Sequence, residues 1–219
     1  QKPKAIITTA RVGLPPGAAA PGRTEFSRLG HIAKFASWAP IYLEIEVREE
    51  IKEPAELIVE TPDGDEVNTS ITIPLTVLND ARPGQVVATR DLGVMPYIRP
   101  ANGSSDTVLR IRTQKGNDLS PPFRISSLYP TNARTYVVLS LGSKLPGFDL
   151  PKDATETEAD AGTFRKGRVE AAAITDVGEL PDRWFGYDAA DLVVLTTGTA
   201  SDEFLRRLFG DQASASDRD

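Results

Sequence analysis

The chain has 219 residues, 40% of them hydrophobic and 26% charged, enough to build one large or two small domains around a sizeable core. With 31 acidic against 25 basic residues, its formal net charge of -6 sets it apart from basic proteins that track nucleic-acid phosphates. Cysteine is absent and His31 is the only histidine, which excludes disulfides, thiolate chemistry, Cys/His zinc sites and every Ser-His or Cys-His dyad not built on that imidazole.

The content of 17 Gly and 17 Pro, with few aromatics, fits a turn-rich β chain. The first predicted strand covers residues 5–12 and closes at Leu14-Pro15-Pro16-Gly17; residues 18–37 read as a mixed loop wrapping an edge. After Trp38-Ala39-Pro40, the apolar Ile41, Leu43, Ile45 and Val47 alternate with Tyr42, Glu44, Glu46 and Arg48, the period of a strand with one buried and one wet face. Residues 55–60 and 71–77 form the next predicted pair, joined by the turn chemistry of Thr61-Pro62-Asp63-Gly64-Asp65-Glu66. Pro74 has no N–H to donate, which places the second of these strands at an edge or a bulge. Shorter segments follow at 85–90, 95–99, 107–113 and 123–128, with Leu109 and Ile111 facing inward. Short strands at this spacing predict a β-sandwich of immunoglobulin-like type over residues 1–130.

Near Thr131 the period changes. Tyr136-Val137-Val138-Leu139-Ser140-Leu141, ending at Gly142, is an unbroken run suited to a strand covered on both faces, and residues 169–174 and 191–196 resemble it. These are predicted strands of a parallel sheet. Leu180 to Tyr187 is too short for a crossover helix but fits a helical turn packing its aromatics. Ser201 is a candidate N-cap for a short helix whose apolar face is Phe204, Leu205, Leu208 and Phe209, stopping before Gly210. Three strands and two turns of helix do not cover both faces of a parallel sheet, so residues 131–219 read as a partial α/β unit with a flexible loop at 144–168. A protein partner, or the remainder of its own chain, is expected to cover that sheet. The opening Gln1 fits a processed or excised product, and no apolar run of about 18 residues is present to span a bilayer.

Candidate chemistry is sparse. Asp63-Gly64-Asp65-Glu66 offers carboxylates for Ca²⁺, yet such a site needs roughly six to eight oxygens, and the residues equally suit a plain turn. The acidic stretch with Asp153, Glu156, Glu158 and Asp160 reads as a solvated loop. His31 lies in a Gly-punctuated stretch without a partner in sequence. Gly142-Ser143-Lys144 follows a buried strand, where α/β folds bind ligands, but without a phosphate-loop pattern. Trp184, Phe185 and Tyr187 serve either as a ligand platform or as pins holding a loop onto a sheet edge. Arg110 and Arg112 share a solvated strand face, while Asn68-Thr69-Ser70 and Asn102-Gly103-Ser104 match a glycosylation pattern common by chance. No catalytic, cofactor or metal role is assigned to any residue.

Several stretches carry a resemblance: Arg11-Val12-Gly13-Leu14-Pro15, Trp38-Ala39-Pro40-Ile41-Tyr42, Glu60-Thr61-Pro62-Asp63-Gly64-Asp65, Tyr97-Ile98-Arg99-Pro100, and the run from Leu180 to Asp191. In this order they resemble a group of large bacterial cell-envelope proteins with an N-terminal β-sandwich, a class I glutamine-amidotransferase-like (flavodoxin-like) domain and a later membrane segment. The resemblance implies the fold and an exported, envelope or periplasmic location. It does not imply glutaminase activity, because the nucleophilic cysteine of true amidotransferases has no counterpart here. The expected function is a non-catalytic interaction or scaffold module with no cofactor. One alternative is the N-terminal part of a hydrolase or amidotransferase-like protein whose catalytic residues lie beyond Asp219. Another is a carbohydrate-binding sandwich using exposed aromatics, for which Trp38 is the test residue, although its place at a strand start suits the core.

Overall fold

A computed structural model describes residues 2–16, 32–62, 67–100, 106–125, 136–145 and 169–210. The turn residues 63–66, His31, Asn102, the acidic stretch 153–160, most of the loop 144–168 and the boundary at 130/131 lie outside the described residues.

Two antiparallel sheets form first. In one, β1 (Ala5–Val12) pairs with β2 (Ala39–Val47), which also pairs with the short β5 (Val86–Ala88) and β6 (Tyr97–Ile98). In the other, the order is β4 (Asn68–Pro74), β3 (Ala55–Pro62), β7 (Thr107–Thr113), β8 (Phe123–Ile125). The alternation along β2 does what its period requires, since Ile41, Leu43, Ile45 and Val47 are buried while Glu44 is exposed. Those side chains meet Leu57 and Val59 of β3 and Leu109 and Ile111 of β7 in one core, so the sheets pack as a sandwich. Pro74 closes β4 at the sheet's edge, where its missing donor breaks no ladder. Beyond it the backbone turns into the 3₁₀ segment Thr76–Asn79 instead of continuing as strand to Val77, because Leu75 and Leu78 both drop into the core there.

The third sheet is parallel, with β9 (Tyr136–Leu141) flanked by β10 (Val169–Ile174) and β11 (Leu192–Leu195). Its order, second strand, first strand, third strand, is the opening of the flavodoxin-like arrangement. Val137, Val138, Leu139 and Ser140 of the central strand are all buried, in keeping with a strand covered on both faces. The helix α1 (Asp202–Phe209) begins where Ser201 Oγ accepts the Phe204 N–H at 3.1 Å and ends at Gly210, and of its apolar residues only Phe204 is fully buried. The architecture is therefore mainly β, a sandwich followed by a small parallel α/β unit. Among the described residues, no helix is long and apolar enough to cross a membrane.

The N-terminal segment does not stay within the sandwich. Leu14 and Ile32 belong to the core of the parallel unit, beside Val137, Leu139, Ala172 and Ile174. Pro16 bridges Ala172, and the Ala173 N–H donates to the Pro15 carbonyl at 3.0 Å, so this segment runs along the outer side of β10.

Candidate functional site

The connection between β10 and β11, residues 176–191, is where the chain brings its polar and aromatic side chains together. It contains two single 3₁₀ turns, Val177–Glu179 and Trp184–Tyr187, and it lies against the outer face of the β2 sheet. Tyr42 points outward from β2 and donates its hydroxyl to the Glu179 carbonyl at 2.8 Å. Tyr97 of β6 donates to Asp182 Oδ1 at 2.6 Å and accepts the Arg183 N–H at 3.2 Å. The Met95 and Trp38 amides donate to Asp182 and Asp188, at 3.4 and 3.1 Å. Lys34, almost wholly buried, donates to Asp191, whose carboxylate also accepts the Val137 N–H at 2.6 Å. Asp176 is held by Arg90 from the sandwich and by Arg207 from α1, at 3.3 and 3.1 Å.

Thus the aspartates of one connection act as acceptors for donors that come mostly from the sandwich. Their electrostatics follow from this role. The N–H of Gly178 first, and then the two arginines, outweigh burial and hold the Asp176 carboxyl below its ordinary range. At Asp191, burial works to raise the pKa but is overcome by the Lys34 ammonium and the Val137 N–H, so the net shift is downward. Glu179 shifts the other way, pushed up by burial and by its neighbour Asp176. Burial also pushes the hydroxyls of Tyr42 and Tyr97 up, keeping both as neutral donors.

The aromatics form the centre of this junction. Phe185 contacts Trp38 (ring centroids 5.3 Å apart), Tyr97 (4.9 Å, edge to face) and Trp184 (5.8 Å, edge to face). Arg99 lies over the Trp38 ring at 5.9 Å and donates from Nε and Nη2 to the Ala36 carbonyl, at 3.1 and 2.8 Å. Ala36 needs that brace, since its φ of 61° is a left-handed conformation that alanine adopts only under restraint. Tyr187 packs in the parallel unit's core, so Phe185 and Tyr187 pin the connection from both sides. Trp38 is half-buried in this cluster, not in the sandwich core where a residue at a strand start was expected. Trp184 is not a pin, because it is 82% exposed.

The strand exit at Gly142 has a different character. Gly142 has a φ of +97°, and a Cβ there would lie 2.5 Å from that of Ala200 and 3.3 Å from the Phe204 ring. Ser143 Oγ donates to Thr196 Oγ1 at 3.0 Å and is also bonded to the Thr199 hydroxyl. The crevice at this topological switch point is filled by the protein's own side chains, and glycine is required there so that α1 can close over it. Arg110 and Arg112 lie on the half-exposed face of β7, with Arg110 Nε 3.5 Å from Glu60. Among the described residues no three His, Asp or Glu side chains converge as metal ligands.

The sequence does not single out the polar groups of the junction. Tyr42 reads only as the wet position of a strand, Asp182 as part of the helical turn 180–187 and Asp191 as the first residue of the strand 191–196, while the sequence gives Asp176 and Asp188 no role of their own. The available signal was four aspartates recurring within sixteen residues otherwise rich in aromatics and Pro/Gly. No model of a known protein family and no curated protein matches this chain.

Proposed function

We propose that this chain is a non-catalytic interaction or scaffold module of the bacterial cell envelope, a sandwich coupled rigidly to a small amidotransferase-like α/β unit. The observation that carries this reading is the junction. The carboxylates of Asp176, Asp182, Asp188 and Asp191, which acid–base chemistry would need to face a substrate, are instead engaged by Arg90, Tyr97, the Trp38 N–H and Lys34 in tying the two units together. A stiff junction presenting one exposed tryptophan suits a body that positions a binding surface. The envelope location rests on the resemblance of the motifs around Trp38-Ala39-Pro40 and Leu180 to Asp191 to envelope proteins, together with the second-first-third strand order.

Two assays test it. The intact chain incubated with glutamine and with a nitrophenyl ester is expected to release neither ammonia nor nitrophenol above the buffer rate, and turnover abolished by a point substitution in this chain would overturn the reading in favour of a hydrolase. Immunodetection in fractionated cells of the source organism is expected to find the protein with the envelope; recovery in the cytosol alone would remove the location.

A further inference from the structure

The helix α1 is weakly attached to the rest of the parallel unit. Of its eight residues only Phe204 is fully buried; Leu205 and Leu208 are half-buried, and the other five, Phe209 among them, are exposed. A helix this short is not held by its own backbone bonds, so α1 depends on what it touches. The Ser201 cap is local to the helix and moves with it. Among the described residues, the one side-chain hydrogen bond from α1 to another element runs from Arg207 Nη1 to Asp176 Oδ1, at 3.1 Å. Both side chains are partly exposed, and an ion pair of this kind shifts an equilibrium by roughly a factor of two to five. The base of α1, by contrast, is fixed to the sheet. Thr196 donates both its N–H and its hydroxyl to the Leu141 carbonyl, at 3.0 and 2.8 Å, and the Ala200 N–H donates to the Thr196 carbonyl at 2.8 Å. One pinned end, one buried ring over Gly142 and one surface ion pair are the parts of a flap.

The carboxylate that holds the flap is shared. Asp176 Oδ1 accepts the Gly178 N–H at 2.9 Å as well as Arg207, and Asp176 Oδ2 accepts from Arg90 Nη1 of the sandwich at 3.3 Å. Because the Gly178 N–H aims the carboxylate from within its own turn, Arg90 is not needed to orient it. Arg90 instead brings a second positive charge to the same anion and repels Arg207 across it. We infer that α1 is a flap over the strand-end crevice, latched by Arg207 on Asp176 and tuned by the sandwich, whose Arg90 competes for that carboxylate. The flap opens while the sheets stay folded, uncovering Gly142 beside the Ser143, Thr196 and Thr199 hydroxyls, at the switch point where parallel α/β sheets take ligands. The inference goes beyond the scaffold reading and does not depend on it, since the latch is the same whether or not the chain turns over a substrate.

Amide hydrogen exchange of the full chain at neutral pH, read by mass spectrometry on peptides covering residues 136–141 and 202–209, tests it. In the wild type, residues 202–209 are expected to exchange at least about a hundredfold faster than residues 136–141. Arg207→Met keeps the length and helix propensity of the side chain and removes its charge, and should speed exchange of 202–209 roughly two- to fivefold while leaving 136–141 unchanged. Arg206→Met loses the same charge from the same exposed turn without touching Asp176, and should change exchange less. Arg90→Met should slow exchange of 202–209. Raising salt from about 0.02 to about 0.5 M should speed exchange of 202–209 in the wild type but not in Arg207→Met. All three substitutions are at exposed positions and should keep the wild-type circular dichroism spectrum, which separates a lost latch from lost folding. One common exchange rate for the two segments overturns the flap, and an Arg207→Met effect no larger than that of Arg206→Met overturns the latch. Unchanged or faster exchange in Arg90→Met overturns the competition.

Discussion

Gly186→Ala is the perturbation that addresses the junction most selectively. Gly186 is buried in the turn Trp184–Tyr187, and a Cβ built on it would lie 2.5 Å from Pro181 Cβ, 2.7 Å from Tyr97 Cε1 and 3.0 Å from the Tyr97 hydroxyl oxygen. Ordinary contact begins near 3.4 Å, so the new methyl demands several tenths of an ångström on two sides at once. Neither neighbour yields easily: the proline ring does not rotate away, and Tyr97 is anchored to Asp182 at 2.6 Å. Overpacking of this kind costs about 1–3 kcal/mol, against a gain of about 0.4–1 kcal/mol from the stiffer unfolded chain. The net expectation is a loss of about 1–2 kcal/mol, or roughly 2–8 °C in Tm for a chain of this size. Gly198→Ala supplies the control, because nothing lies within 4 Å of its Cβ position and its φ is not in the left-handed region. That variant should be unchanged or slightly more stable. Urea unfolding of the two variants side by side is the assay. Gly186→Ala as stable as Gly198→Ala would refute the reasoning, since it would mean that the connection does not press against Tyr97.

Other outcomes follow from the same junction. Tyr97→Phe removes a donor to a carboxylate and leaves the Arg183 N–H without its acceptor, and should lower stability by about 1–2 kcal/mol in urea unfolding. Ser201→Ala removes the N-cap of α1 and should cost about 1 kcal/mol, seen first as faster amide exchange in residues 202–209. Asp176 and Asp191 have folded pKa values below their unfolded ones, so they bind protons less readily when folded. Their stabilisation is complete above the unfolded carboxyl range, about pH 4, and is lost as pH falls through that range toward the folded values. Glu179, raised on folding, has the opposite sign: its penalty is present at neutral pH and disappears on protonation. Asp191→Asn should therefore unfold more easily at pH 7 and show a shallower acid loss of stability than the wild type; parallel pH profiles would contradict the assignment.

Local pattern carried much of the fold. The alternation of β2, the bulk-free edge position of Pro74, the unbroken apolar run of β9 and the Ser201 cap each depend on near neighbours in sequence, and each lies where its chemistry places it. The junction depends on partners far apart: Lys34 with Asp191 is a separation of 157 residues, and Trp38 with Asp188 one of 150. A lone aspartate in a turn-rich stretch looks the same whether it faces water or a distant tyrosine. The same holds for Leu14, at the turn closing the first strand, and for Ile32, within the residues 18–37 that read as an edge-wrapping loop; both enter the core of the parallel unit. Trp38 was misplaced for a related reason, since a large aromatic at a strand start is equally compatible with either side of the sheet, and only the position of Phe185 decides between them.

The central claim is that the connection 176–191 joins the sandwich and the parallel unit into one cooperative body. The protein contains two tryptophans, Trp38 and Trp184, and both sit at this junction, so their emission reports on it alone while far-ultraviolet circular dichroism reports on the sheets. Equilibrium urea unfolding followed by both signals on the same samples is the most direct measurement. Coincident transitions with one midpoint are predicted. A tryptophan transition completed at lower urea than the loss of sheet signal would mean that the junction opens on its own, and would contradict the account.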